Sequence, residues 1–230
     1  MIKESDIIFI LEKYNVKIEK INNINIYSEA FNHPSKQQEN NDYERLEFLG
    51  DVVFKLILSN YLYERYEDAN EGFLTKLKIK IENKKSLSNL NKILGINKHL
   101  IMSENLNMND GKNNNKILED SFESFIGALY IDLDFEICKK FVYALLNSEI
   151  NFANLIYYDD NYKDQILRYY HEQKWNSPKY KLLESENKMF VIAILDNDGN
   201  EFEYGKGKTK KYAEQMASKN ALLKLNVISH

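Results

Sequence analysis

The nine-residue stretch YERLEFLGD, residues 43–51, constrains the fold more than any other part of this 230-residue chain. At about 100° per residue, a helix places Glu44, Glu47 and Asp51 on one face. An apolar series falls on the opposite face and predicts packing into a core: Leu46, Leu49, Val53, Leu56 and Ile57. Like charges at this spacing repel and weaken an isolated helix unless a cation or ligand offsets them. The acidic face is therefore either a solvated surface or a cation site.

A second stretch, residues 117–128, carries another pair of acids on one helical face. Asp120 and Glu123 are three residues apart, and Gly127 lies on their side, where a missing side chain would leave room for a substrate. Large apolar residues lie opposite: Phe122, Phe125, Ile126 and Leu129. Two helices that each carry a carboxylate pair on one side can pack with four acids converging, which is costly unless metal is bound. Because Mg²⁺ prefers oxygen ligands, the pattern favours a magnesium site.

These two stretches resemble the signature helices of the ribonuclease III family, whose usual forms are NERLEFLGD and LADxxEAxIGA. Residues 32–35, NHPS, resemble the short motif that precedes the first signature. Glu71 and Gly72 resemble the acid–glycine pair that follows it. The resemblance implies an all-α endonuclease domain that depends on Mg²⁺, with Mn²⁺ as a substitute.

The resemblance also implies roles for single residues. The implied metal ligands, or water-mediated partners of the metal, are Glu47, Asp51, Asp120 and Glu123. Glu44 and Glu71 match family acids that line the cleavage site. The implied catalytic residues are therefore Glu44, Asp51, Glu71 and Glu123.

Phe48 lies beside the acidic face and away from the predicted core side of its helix. An apolar side chain in that place suggests burial by another chain. In ribonuclease III enzymes the matching phenylalanine inserts into the partner subunit. The resemblance thus implies a homodimer with Phe48 at its centre, and the alternative is that Phe48 packs against loops of its own chain.

Three other residues carry weaker signals. His33 precedes a proline at a predicted helix end, where a structural cap is favoured over a contact with substrate. Family members carry basic residues near the Asn-rich loop 103–115, and Lys112 and Lys116 are candidates for that role.

Charge and cysteine content restrict the cellular setting. Residues 161–230 contain 12 Lys and Arg against 9 Asp and Glu, a net charge of +3, whereas the whole chain has −4. The basic part can therefore meet a polyanion. The lone Cys138 excludes an intrachain disulfide and is expected to be a buried structural thiol. No apolar run approaches the ~20 residues of a membrane span, so we expect a soluble, intracellular, cytoplasmic protein without a membrane partner.

Helical periodicity continues to residue 148 and then stops. It predicts helices over residues 5–14, 26–31, 43–66, 71–94, 117–131 and 134–148. Residues 149–160 break the pattern and are predicted to be a linker. The predicted domains are thus 1–148, all-α and catalytic, and 161–230, small and α+β.

The second domain has the order αβββα, with a hairpin turn at residues 196–200. This order, with the segment GKGKTKKYAEQMA at 205–217, resembles the double-stranded-RNA-binding domain. By that resemblance Lys208, Lys210 and Lys211 contact phosphates, and recognition depends on A-form shape rather than sequence. Residues that would pack on the sheet are Ala213, Ala217, Ala221 and Leu222.

Two departures from that domain affect minor-groove contacts. Residues 166–168 are Ile-Leu-Arg where Leu-Gln-Glu is usual, and residues 185–188 lack the usual Gly-Pro-x-His. Arg168 and His171 are candidates to compensate. We expect weaker duplex binding that rests on the lysines and depends strongly on salt.

Together these features predict an Mg²⁺-dependent endoribonuclease that cleaves double-stranded RNA in RNA processing or RNA silencing. Its products would have 5′-phosphate and 3′-hydroxyl ends with two-nucleotide 3′ overhangs, because two sites across a dimer each cut one strand. One alternative is a protein that sequesters duplexes, but the complete set of six acids disfavours it. The other is an all-α metal-dependent nucleotide pyrophosphatase, which would not explain the basic αβββα domain.

Overall fold

A computed structural model of the chain describes residues 2–36, 43–157, 161–186 and 189–228. The chain divides into two compact units, Met1–Leu155 and Ile156–His230. The first is helical and the second contains a three-stranded sheet, so the predicted fold class is confirmed. No helix in the described ranges is both long and apolar enough to span a membrane.

The described part of the first unit is built from α-helices joined by short turns. In chain order they are α1 Glu4–Lys13, α2 Ile24–Ala30, α3 Glu44–Arg65, α4 Glu71–Ile81, α5 Lys84–Leu94, α6 Glu104–Met108, α7 Asn115–Leu133, α8 Phe135–Glu149 and α9 Phe152–Tyr157.

The central feature of this unit is the contact between α3 and α7, the two acidic helices. A Cβ on Gly50 of α3 would lie 1.8 Å from the Glu123 carbonyl oxygen, and one on Gly127 of α7 would lie 2.3 Å from that of Leu46. The two backbones therefore touch at these glycines. Gly127 was expected to make room for a substrate, but α3 fills that space. Apolar side chains seal the contact further along, where the rings of Phe54 and Phe122 meet edge to face.

The predicted core side of α3 is correct except at Leu56. Leu46, Val53 and Ile57 are buried, whereas Leu56 is 55 % exposed. Leu56 follows Phe48 and Val52 at intervals of four residues, and all three are exposed on α3.

Two regions differ from the helical periodicity. The predicted helix 71–94 is broken at residues 82–83, because the Asn83 side chain accepts a hydrogen bond from the Ser86 amide and starts α5. Gly95 ends α5 in the left-handed conformation, with φ of 74°. The predicted loop 103–115 contains the short helix α6, which Ser103 caps through the Leu106 amide.

The predicted linker 149–160 contains α9. Phe152 is buried in the core of the first unit, and Leu155 packs on it. Residues 158–160 lie outside the described residues, and the assignment of 149–160 as a linker stays a prediction.

The second unit has the order α10 Tyr162–Glu172, β1 Tyr180–Glu186, β2 Met189–Leu195, β3 Glu201–Gly207 and α11 Lys210–Lys224. The sheet is antiparallel in the order β1-β2-β3, with Ile192 of β2 opposite Leu182 and Gly205. A Cβ on Gly205 would lie 2.1 Å from the Ala213 carbonyl oxygen, so β3 and α11 pack closely. The core comprises Ile166, Tyr170, Ile194, Ala217, Ala221 and Leu222.

Candidate metal centre and nucleic-acid interface

Three carboxylates from the two central helices converge. Glu47 of α3 and Asp120 and Glu123 of α7 each offer an oxygen, and these oxygens lie within 4.8 Å of one another. The convergence follows from the contact at Gly50 and Gly127, which holds one turn of each helix against the other. Asp120 and Glu123 are each only 7 % exposed, so their charges are largely removed from water.

Asp51 completes the predicted set from the next turn of α3. It lines one open pocket together with Glu47 and Glu123, and its carboxyl is within hydrogen-bonding reach of Glu123. Three of the four implied metal ligands therefore form one cluster, and Asp51 borders it.

Two acids of this set have raised pKa values. Burial first, and then the neighbouring charge of Asp51, raise the pKa of Glu123 to about 8. Burial and the negative charge of Asp120 also raise the pKa of Glu47, whereas the positive charge of Lys116 lowers it. A cluster of carboxylate oxygens that are largely removed from water is stabilised by a divalent cation, so this donor set fits Mg²⁺ or Mn²⁺.

Lys116, in the first turn of α7, provides a positive charge within this cluster. Its Nζ lies 2.5 Å from Asp120 Oδ1, 3.5 Å from Glu47 and 3.9 Å from Glu119. Although burial opposes the shift, these acids raise the Lys116 pKa above its usual value. Lys112, the other candidate, instead donates to the Lys98 carbonyl at 3.4 Å and is not among the described residues that line the pocket.

Three pocket residues were not singled out by the sequence: Lys55, Glu82 and Glu119. Lys55 follows Asp51 by four residues on the same helical face, so its position was available from the spacing. Glu119 precedes Asp120 and forms ion pairs with Lys84 and Lys116 at 3.9 Å. Glu82 ends α4, and no local pattern indicates that this end faces the pocket.

The two acids with an implied role in lining the cleavage site are placed differently. Glu44 is exposed in the first turn of α3 and lines the pocket. Glu71 begins α4, where its carboxylate accepts a hydrogen bond from the Thr75 hydroxyl at 2.8 Å. Glu71 is not among the described residues that line the pocket, and its catalytic role stays a prediction.

Phe48 is 76 % exposed beside the acidic pocket, so it does not pack against the described loops of its own chain. It also borders a more apolar pocket, lined in part by Ile26, Leu49 and Ile131. An exposed ring beside an apolar recess is suited to a contact between copies.

His33 has the features of a structural cap. Its Nδ1 accepts a hydrogen bond from the Ser35 amide at 2.9 Å. Its ring meets the edge of Tyr43, with centroids 5.5 Å apart. Both contacts hold the turn between α2 and α3.

The predicted RNA-binding lysines lie where α11 begins. Lys208, Lys210 and Lys211 are exposed around Thr209, whose hydroxyl caps α11 by accepting a hydrogen bond from the Tyr212 amide at 3.2 Å. Positive side chains at a helix N-terminus attract phosphate.

The two candidates for compensation lie on α10. The Arg168 guanidinium is 3.3 Å from Asp164, and the His171 Nε2 is 3.4 Å from the Ser177 hydroxyl. Residues 187 and 188 of the unusual loop lie outside the described residues.

Comparisons with known proteins support this interpretation. A ribonuclease-III-like family model matches residues 23–150, and a double-stranded RNA binding motif matches residues 162–225. The chain is 33 % identical over 215 residues to ribonuclease 3 of Staphylococcus aureus, covering 90 % of this chain and 88 % of that protein. It is 41 % identical over 213 residues to a probable ribonuclease 3 of Acanthamoeba polyphaga mimivirus. That match covers 89 % of this chain but only 38 % of the viral protein.

Among solved structures, the nuclease domain of ribonuclease III from Campylobacter jejuni matches with a TM-score of 0.56 and 31 % identity. The match covers 62 % of this chain and 98 % of that domain. The converging carboxylates, the order of the two domains and these matches agree: the chain belongs to the ribonuclease III family of endonucleases and carries a double-stranded-RNA-binding motif after its nuclease domain.

Proposed function

We propose that the protein is an Mg²⁺-dependent homodimeric endoribonuclease that cleaves double-stranded RNA. Its products would have 5′-phosphate and 3′-hydroxyl ends with two-nucleotide 3′ overhangs. The observation that carries the proposal is the convergence of Glu47, Asp120 and Glu123 within 4.8 Å. Asp51 lines an open pocket together with two of them, Glu47 and Glu123.

The four carboxylates would hold the cation, with Mn²⁺ as a substitute for Mg²⁺. A cation bound here would supply a water that is deprotonated near neutral pH and would offset charge on the attacked phosphate. The chain itself has two tasks. The α3–α7 contact keeps the acids together, and Lys116 orients Asp120 and Glu47.

Each unit would make its own contacts with the substrate. Glu44 at the rim of the pocket, and Glu71 by its match to the family, would border the cleaved strand. Lys208, Lys210 and Lys211, helped by Arg168 and His171, would contact the duplex backbone. Because A-form RNA presents few base-specific contacts, binding would be largely independent of sequence.

Two copies would be needed for a staggered double cut. The Campylobacter domain is described with a region involved in dimer formation. In this chain the exposed Phe48 and its neighbouring apolar recess would form the corresponding contact. Each copy would then cut one strand.

The expected products indicate the biological setting. The products would enter RNA processing or RNA silencing. A cytoplasmic location is expected from the lone, buried Cys138, which fits a reducing compartment.

Cleavage of long double-stranded RNA by the full chain in Mg²⁺ tests the proposal. We expect short duplexes whose ends show two-nucleotide overhangs on sequencing, no cleavage in EDTA, and no cleavage by a Glu123→Gln variant. Glu12→Gln, which removes an exposed acid from α1, is the matched control and should cut normally. Duplex binding without cleavage by the wild type would indicate sequestration, and hydrolysis of nucleotides alone would indicate a pyrophosphatase.

A further inference from the structure

The Lys55 ammonium contacts both carboxylate oxygens that Asp51 would use to bind a metal. Its Nζ lies 2.8 Å from Oδ1 and 2.8 Å from Oδ2 of Asp51, one helical turn earlier on α3. Each carboxylate oxygen can accept more than one contact, but an ammonium this close to both oxygens repels a cation that approaches them. In the structure described here, Lys55 therefore competes with any metal at Asp51.

Glu82 offers Lys55 a second partner. Its carboxylate lines the same pocket from the end of α4. Within the part of the chain that the structure describes, its buried Oε2 has no hydrogen-bond donor, and its ion pair with Lys78 is 3.6 Å long. A buried carboxylate oxygen without a donor is costly, so it would accept one that comes within reach.

The charged groups that act on Lys55 come from three helices. Asp51 is on α3, Glu82 ends α4 and Glu123 is on α7, and all three attract the Lys55 ammonium. The side chain of Lys55 is 42 % exposed, so it has room to change rotamer without disturbing the core. Among the described residues, the contact of its ammonium that must break is the one with Asp51.

We infer that Lys55 and Glu82 are positioning residues for the metal site. Lys55 caps Asp51 while the cation is absent, and it transfers to Glu82 when Asp51 ligates the cation. The inference rests on the metal site of the proposed function. Lys55 and Glu82 would then set how tightly the cation is held. When the cation binds, Lys55 leaves Asp51 and pairs with Glu82, and the free energy of this exchange is part of the free energy of binding.

A double-mutant cycle tests this exchange. Mn²⁺ alone, without RNA, is titrated calorimetrically into the full-length wild type, Lys55→Met, Glu82→Gln and the double variant. Lys55→Met should bind Mn²⁺ roughly two- to fivefold more tightly, the range expected for loss of one competing ion pair at a partly exposed site. Glu82→Gln should weaken binding by a similar factor, because the displaced Lys55 then loses the Glu82 carboxylate as a partner.

The decisive quantity is the coupling. We expect Glu82→Gln to weaken Mn²⁺ binding in the presence of Lys55 and to have much less effect in the Lys55→Met background. An equal effect in both backgrounds would show that Glu82 acts only through its charge or as a ligand, and would overturn the inference. Unchanged or weaker binding by Lys55→Met would overturn it as well.

Two controls separate this result from others. Lys85→Met removes the same charge from an exposed lysine of α5 that is not among the described lining residues, and it should leave Mn²⁺ affinity unchanged. Circular dichroism and melting temperatures establish that each variant is folded. If the wild type itself binds no Mn²⁺, the proposed metal-dependent function fails and this inference fails with it.

Discussion

At the scale of single residues, the fold alters the ionisation of Glu123 in the range around neutral pH. Its pKa of about 8 results from burial and from Asp51, whereas an unfolded glutamate titrates near ~4.3. Without metal, the folded chain therefore retains a proton that the unfolded chain has lost. Below pH ~4.3 the Glu123 carboxyl is protonated in both the folded and the unfolded chain, so its raised pKa does not change the free energy of unfolding. As pH rises from ~4.3 through about 8, the free energy of unfolding falls.

A Glu123→Gln variant should remove this pH dependence. In EDTA we expect the variant to gain melting temperature relative to the wild type as pH increases from 5 to 9, with the largest gain above pH 8. Melting curves at a series of pH values measure it, and Glu12→Gln should show a constant difference from the wild type. A constant difference for Glu123→Gln would mean that the Glu123 pKa is not raised.

At the scale of elements, the site depends on how closely α3 approaches α7. The backbone of each helix occupies the space where a side chain of the other would lie, at Gly50 and Gly127. A methyl group at either position would force the helices apart, since packed interiors relax only partly. The distance between the acids is thus set by contact of main chains.

Gly50→Ala tests this dependence. The added Cβ would lie 1.8 Å from the Glu123 carbonyl oxygen, so we expect a loss of roughly 3 kcal/mol or more in the free energy of unfolding. Urea denaturation measures the loss. Gly72→Ala is the matched control, because its Cβ would meet only Asn70 Oδ1 at 3.5 Å, and it should stay within about 1 kcal/mol of the wild type. Equal stability of the two variants would contradict the close approach.

The sequence predicted the elements best where periodicity alone determines them. The acidic and apolar faces of α3 and α7 follow from helical spacing, which places the acids of each helix on one face. The choice of Glu47, Asp51, Asp120 and Glu123 as metal ligands came from the resemblance to the ribonuclease III family. The break before α5 depends on one Asn83 side chain that caps the helix, a contact that competes with a continuous helical pattern.

Other features of the site depend on tertiary structure. Glu82 faces the pocket only because the chain turns at the break before α5, and no local spacing contains that information. The space next to Gly127 was expected to hold a substrate, but α3 fills it. A helical pattern shows which residues lie on the same face of a helix, and it does not show which neighbouring element covers that face.

At the scale of the whole molecule, function requires more than one acidic pocket. In the proposed function, the basic residues of the second domain would supply the attraction for a polyanion, and the exposed Phe48 would supply a surface for a second copy. Affinity for duplex and the number of subunits can each be changed without touching the carboxylates.

Replacing Lys208, Lys210 and Lys211 together with alanine should weaken duplex binding and reduce its salt dependence. If each lysine neutralises one phosphate, the slope of log affinity against log salt concentration should fall by about 3. Fluorescence anisotropy with a labelled RNA duplex in EDTA measures the slope across a KCl series. Lys181→Ala, whose Nζ already pairs with Glu201 at 2.8 Å, should leave the slope unchanged. An unchanged slope for the triple variant would place the RNA contacts elsewhere.

Phe48→Glu should convert the dimer to a monomer, because it places a charge at the proposed apolar contact. Light scattering after size-exclusion chromatography gives the mass. Phe9→Ala, on α1 and similarly exposed at 71 %, should keep the mass of the wild type. A dimeric Phe48→Glu variant, or a monomeric wild type, would contradict the proposed interface.

Because the main chains of the two helices touch at the two glycines, these two positions must stay glycine, whereas other positions of the apolar interior can vary. Substitutions that reshape the surrounding apolar interior alter stability, but they leave the spacing of the catalytic oxygens nearly untouched. Lineages of such a protein can therefore diverge widely inside the helical domain and keep the same chemistry, provided that these two positions never acquire a side chain.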